Sequence, residues 1–111
     1  MELLSKIKFV NDDLKEDFYK LEKGDSAEKE LFKAINHALD ELEKNAFSGI
    51  QIPKRLIPKE YKQKYNVKNL WKYNLSKGWR VLYSIFAEEV LVISLILEWC
   101  NHKEYEKKFN Y

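Results

Sequence analysis

LWKYNLSKGWRVLYSIFAEEVLVISLILEWCNHKEY, residues 70–105, carries the alternation that decides the fold. Trp71, Tyr73 and Leu75 alternate with Lys72 and Asn74, the period of a half-buried strand. Ser76-Lys77-Gly78 then supplies a turn. A three-residue hairpin loop with glycine at its left-handed position pairs Leu75 with Trp79, Tyr73 with Val81 and Trp71 with Tyr83. That register gathers the aromatic residues on one face and Lys72, Asn74, Arg80, Leu82 and Ser84 on the other. A two-residue turn would set Leu75 against Arg80 and mix the faces, because a one-residue slip moves every side chain to the opposite side. The same test at Ala87-Glu88-Glu89 predicts a three-residue turn pairing Phe86 with Val90, Leu82 with Ser94 and Arg80 with Ile96. Leu91, Ile93, Leu95 and Leu97 then join the aromatic face, while Ser94 and Glu98 join the Arg80 face. Glu98 falls diagonal to Arg80, where a charge-assisted hydrogen bond between the two is expected.

Upstream, Ser5 to Val10 alternates as a short strand with Ile7 and Phe9 on one face. Asn11-Asp12-Asp13 offers helix caps, and Asp13 with Glu16 has the spacing of a capping box. Leu14, Phe18 and Leu21 form the stripe of a first helix, which Gly24 is expected to end in the left-handed conformation. Asp25 and Glu28 open a second helix whose stripe runs from Leu31 or Phe32 through Ile35, Leu39 and Leu42 to Ala46, with Ser48-Gly49 as its stop. His37 lies off that stripe and reads as a surface residue. The two helices are expected to cover the aromatic face of the sheet. The tail from Asn101 to Phe109 is expected as a short helix or an extended segment; on a helix, His102 and Tyr105 share a face.

The 111 residues suit one domain, and 45% hydrophobic content excludes a disordered chain. The longest apolar run, Val90 to Leu97, is too short for a membrane span, and with acidic Glu2 and no positive region ahead of a long apolar one, no signal peptide is expected. The single Cys100 allows no internal disulfide, no Cys/His cluster suggests zinc, and the expected compartment is the cytoplasm. No cofactor is expected. The net charge of +2 hides a polarised distribution: residues 51–80 hold nine Lys/Arg and one acid, whereas residues 1–50 hold eight Lys and twelve acids. In the irregular stretch 50–69, Pro58 opens a helical turn, and Lys54, Arg55, Lys59, Lys62, Lys64 and Lys68 surround Tyr61 and Tyr65. Cations interleaved with aromatics suit a phosphate backbone with unpaired bases. The plainer alternative is an ordered loop whose tyrosines pack down while its lysines face water.

Taken together, the strand through Leu70-Trp71-Lys72, the run Trp79-Arg80-Val81-Leu82-Tyr83, the apolar last strand and His102-Lys103-Glu104-Tyr105 resemble the RelE/ParE toxin superfamily. So does the element order. The resemblance implies an α+β domain over residues 1–111: an N-terminal strand, a helical hairpin packed on an antiparallel β-meander, and a short C-terminal tail. It implies the toxin of a type II toxin–antitoxin pair. In the RelE branch this is a metal-independent endoribonuclease that cuts messenger RNA on the ribosome and is silenced by a cognate antitoxin. The alternative is a non-nuclease relative, a gyrase inhibitor or a protein-binding module. By position, Arg80 corresponds to the strand arginine of RelE-like sites, His102 and Tyr105 to the tail residues used there, and Lys72 to a basic residue on the preceding strand. This tail differs in continuing to Tyr111.

The implied chemistry is attack of an RNA 2′-OH on its own phosphate, leaving a 2′,3′-cyclic phosphate. It needs a base, cations for the phosphate and an acid for the leaving oxygen. Arg80 supplies planar bidentate donors, and Lys72 with the lysines of 54–64 adds positive field. His102 is the acid/base candidate, with Tyr105 or an unpaired Glu98 next. Tyr65 or Tyr61 is placed to stack on a base. Alternatively, Arg80 is only the partner of Glu98, and His102 with Tyr105 only anchors the tail.

Overall fold

The computed structural model describes residues 2–88 and 91–109. The fold is α+β: within those residues, four helices pack around a mixed five-stranded sheet. In chain order the elements are β1 (Lys6–Phe9), α1 (Asp12–Leu21), α2 (Ser26–Lys44), β2 (Ile50–Ile52), α3 (Lys59–Tyr65), β3 (Leu70–Asn74), β4 (Arg80–Glu88), β5 (Leu91–Cys100) and α4 (His102–Phe109). The sheet order is β1-β5-β4-β3-β2, with β1 parallel to β5 and the other neighbours antiparallel. No helix among the described residues is long and apolar enough to cross a membrane.

The first hairpin forms as its parity requires. Leu75 N donates to Trp79 O at 2.8 Å, and Tyr73 and Trp71 stand opposite Val81 and Tyr83. Both Lys77 (φ 59°) and Gly78 (φ 79°) take the left-handed conformation in this turn. Trp71, Tyr73, Val81 and Tyr83 meet Phe18, Ile35, Ala38, Leu39 and Leu42 of α1 and α2 in one core. Each such Leu or Ile, once buried, contributes about 1.5–3 kcal/mol. Tyr83 also bonds through its hydroxyl: it donates to Ala46 O at 2.7 Å and accepts from Gly49 N at 3.0 Å. Gly49 has to be glycine at this crossing, because a Cβ there would lie 2.5 Å from the Lys72 carbonyl oxygen and 2.6 Å from the Tyr83 hydroxyl.

The second hairpin departs from expectation. Glu89 and Val90 lie outside the described residues, but the register around them excludes a three-residue turn, since Glu88 pairs with Leu91 and Phe86 with Ile93. A bulge then interrupts the ladder: Tyr83 pairs with Ile96 while Leu82 pairs with Glu98, leaving Leu97 as the extra residue. The turn moves the parity of β5 one way and the bulge moves it back. Ser94 and Ile96 therefore face α1 and α2, whereas Leu95 and Leu97 join the Arg80 side, the reverse of the expected assignment. Glu98, beyond the bulge, returns to the Arg80 side as expected.

That side is consequently not an open polar face. Leu70, Leu82, Leu97 and Cys100 form a second core with Ile52, Ile57, Tyr61, Val67, Tyr105 and Phe109, and α3 and α4 lie over it. Several local expectations also shift. The cap of α1 is Asn11, accepting from Leu14 N at 2.8 Å, so the Asp13–Glu16 box does not form. Gly24 has no positive φ, and α1 ends at Leu21. The Asp25–Glu28 capping box of α2 does form, but α2 stops at Lys44, where Asn45 turns extended. Strand β2 was not expected; it pairs Ile50 with Lys72 and Ile52 with Leu70. Pro58 precedes α3 rather than opening its first turn.

At the end of β3, Asn69 continues the ladder with its side chain. Ile85 N donates to Asn69 Oδ1 at 2.8 Å, and Asn69 Nδ2 donates to Ile85 O at 2.8 Å. Ser84 Oγ adds bonds to Asn69 O at 2.6 Å and to Asn69 Oδ1 at 3.1 Å.

Candidate functional site

Four sequence-predicted residues converge where the β3–β4 hairpin meets the first turn of α4. Asn101 makes this helix start: its Oδ1 accepts from Glu104 N at 2.9 Å, and Glu104 Oε1 accepts from Asn101 N at 3.0 Å, a reciprocal capping box. The cap fixes the phase of α4, so that Tyr105 and Phe109 point into the second core while His102 stays at its rim. Gly78 lets the hairpin approach closely, since a Cβ there would sit 3.3 Å from His102 Cβ.

Tyr105 is the platform. The Arg80 guanidinium carbon lies 4.2 Å from its ring centroid and Lys72 Nζ lies 5.0 Å from the same centroid. Arg80 is on the side of the sheet away from α1 and α2, as the hairpin parity requires. Its Nη1 donates to Gly78 O at 2.8 Å, and its Nη2 meets His102 Nδ1 at 3.2 Å. The Nε of Arg80 is buried with no hydrogen-bond partner. His102 Nε2 contacts the Glu106 carboxylate one turn along the helix. Among the described residues, neither Lys72 nor Arg80 forms a salt bridge with a carboxylate. Two half-buried cations on one ring, paired with no carboxylate among the described residues, repel each other, and an anion that bridged them would relieve that repulsion.

Glu98 is not part of this cluster. Glu98, opposite Leu82, is still diagonal to Arg80, but the expected Arg80–Glu98 pair is absent because Arg80 turns to Gly78, His102 and Tyr105. The Glu98 carboxylate instead accepts from the Tyr61 hydroxyl and pairs with Lys108 Nζ at 3.1 Å. Lys108 also reaches Glu60 at 3.1 Å and lies 5.1 Å from the Tyr61 ring centroid, tying α4 to α3. Burial opposes the charge on Lys108, but Glu60 and Glu98 outweigh it and hold its pKa above the ordinary lysine value. Burial first, then the Glu98 charge, pushes the Tyr61 hydroxyl far above its ordinary range. Cys100, 1% exposed, is pushed up to about 11 by burial and by Glu98.

The basic segment sits elsewhere. Lys54, Arg55, Lys59, Lys62 and Lys64 are exposed, and α3 docks beside Lys108, six residues or about 9 Å along α4 from His102. Of the two tyrosines expected to stack on bases, Tyr61 is buried and committed to Glu98, while Tyr65 is half-buried against the same core. Glu106 was missed by sequence reasoning; its signal was the i, i+4 spacing from His102. His37 is on the surface near Glu41, at 3.7 Å. The chain matches no family model, and no curated protein or solved structure matches it at a significant level.

Proposed function

We propose that the protein is a RelE-like toxin of a type II toxin–antitoxin pair: an endoribonuclease without a metal requirement that cuts messenger RNA on the ribosome and is silenced by a cognate antitoxin. The observation that carries this reading is the Lys72–Tyr105–Arg80 stack, two cations sharing one buried ring and paired with no carboxylate among the described residues. A phosphodiester fits that vacancy in charge. His102, in contact with Arg80, is the group beside it whose ordinary pKa suits proton transfer near neutrality. The succession of strand, helical hairpin, antiparallel meander and short helix agrees with what the resemblance implies.

In this reading Arg80 and Lys72 hold the scissile phosphate and stabilise the charge that builds on its oxygens. His102 handles the 2′-OH proton, and Tyr105 fixes the plane of the guanidinium. The exposed cations from Lys54 to Lys64 guide the rest of the strand. A second reading, an anion-binding module with no nuclease activity, is favoured by the contact of Arg80 with the ring nitrogen a base would use.

The deciding experiment is brief expression of wild-type protein and of Arg80→Ala, followed by mapping of new 5′ ends in translated messenger RNA. New ends with wild type and none with the folded variant are expected. Cleavage by the variant at the wild-type rate removes Arg80 from the mechanism. Growth arrest by wild type without new ends favours the second reading.

A further inference from the structure

Arg80 and His102 meet through Nη2 and Nδ1 at 3.2 Å. A guanidinium has no acceptor and keeps its protons throughout the working pH range, so it is the donor. Nδ1 is therefore the bare nitrogen of His102 and Nε2 carries the proton. Nε2 faces the Glu106 carboxylate, which can only accept while ionised. The tautomer thus follows from the partners on both sides of the ring.

From this geometry we propose that Glu106 is a positioning residue for RNA cleavage. By accepting Nε2–H it commits His102 to Nδ1 as the base, and Arg80 caps that Nδ1 until a phosphate draws the guanidinium away. The inference rests on the ribonuclease reading above and adds to it a gate: the base is exposed only when its substrate is in place. The charged groups around the ring are Arg80 from β4, Lys72 from β3 across the Tyr105 ring, and Lys103, Glu104 and Glu106 from α4. Glu104 is occupied by the Asn101 cap, so Glu106 is the carboxylate on the imidazole.

The step balances as follows. Nδ1 takes the proton of the 2′-OH, the O2′–P bond forms, and the P–O5′ bond breaks to leave a 2′,3′-cyclic phosphate. The departing 5′-oxygen takes a proton from solvent water, and the imidazolium returns its own proton to solvent. Glu106 keeps its charge throughout and stabilises the imidazolium.

Two measurements on the full chain test this. The chain has two histidines, so imidazole nitrogen NMR with His37→Gln as the assignment control isolates His102. Wild type is expected to show the Nε2–H tautomer, inorganic phosphate is expected to move the Nδ1 signal, and Glu106→Gln is expected to raise the share of the Nδ1–H tautomer. Cleavage by Glu106→Gln is expected to fall by up to roughly a hundredfold, the low end of what a positioned general base contributes. The loss is expected in the single-turnover rate at saturating RNA and not in RNA affinity, a split that loss of mere structural support does not produce. An Nδ1–H tautomer in wild type, an Nδ1 signal indifferent to phosphate, or a tautomer and single-turnover rate unchanged in Glu106→Gln overturns the proposal. Wild-type protein that cleaves no RNA overturns the base role together with the ribonuclease reading, and the NMR result still reports whether the Glu106 contact exists.

Discussion

The Arg80 guanidinium lies over the face of Tyr105, 4.2 Å from the ring centroid, while Tyr105 itself is 3% exposed and rests on Phe109 in the second core. The cation is therefore held by a surface that belongs to the hydrophobic interior. Tyr105→Ala is expected to cost about 3–5 kcal/mol, as for other large aromatic truncations in a core. Arg80→Ala removes a cation–π contact of about 0.5–2 kcal/mol. Urea unfolding of both variants checks this, and equal losses would mean that Tyr105 does not support the core.

The exposed cations of 54–64 and the Arg80 cluster should separate in binding assays. Changing Lys59 and Lys62 to Ala is expected to weaken single-stranded RNA binding and reduce the slope of log affinity against log salt by about 0.7 for each lost phosphate contact. Single-turnover cleavage at saturating RNA should change little. An unchanged salt slope would take α3 out of the RNA path.

Tyr61→Phe leaves the half-buried Glu98 carboxylate with one partner fewer. The expected loss is about 1.5–3 kcal/mol, the usual value of a hydrogen bond to a charged group. Cleavage, if measured below the melting transition, should be unaffected, because Glu98 is bound to Tyr61 and Lys108 rather than to Arg80. A drop in rate without a drop in stability would return Glu98 to the catalytic group.

Alkaline pH should unfold the protein earlier than surface charge alone would. Cys100 titrates near its ordinary 9.0 when unfolded but is pushed up to about 11 when folded, so the folded state binds the extra proton between those values. Stability is thus constant with respect to this group below pH 9 and falls as pH rises from 9 to 11. The buried Tyr61 hydroxyl, raised in the same direction, continues the loss above its ordinary value. Melting temperatures from pH 7 to 11 check the slope, and Cys100→Ala should flatten its first part.

What was legible in the sequence depended on how local the deciding contact is. The Leu75–Trp79 hairpin could be read because three turn residues and the alternation on both sides gave one consistent parity. The β4–β5 register could not, because the extra residue at Leu97 leaves no trace in a run of apolar residues that fits either face. The first hairpin put Lys72 and Arg80 on one side by local alternation, whereas the arrival of His102 and Tyr105 beside them was implied only by the resemblance, because it depends on where α4 docks. The loss of Glu98 to Tyr61 and Lys108 was hidden, since it depends on where α3 and α4 dock. Strand β2 was hidden because three residues between a turn and Pro53 show too little alternation to count.

The hydrogen bonding of Asn69 with Ser84 acts as a register peg for the sheet. A slip of β3 against β4 by one residue is forbidden by the two cores, which would each receive the other's side chains. A slip by two residues passes that test, because every side chain keeps its proper side. It fails at Asn69, where the two bonds from the Ser84 hydroxyl would be lost, because a slip by two sets Leu82 or Phe86 in the place of Ser84. One hydroxyl thus separates the native alignment from its nearest permissible error, while the bonds of the Asn69 amide to backbone would be remade at the next equivalent residue.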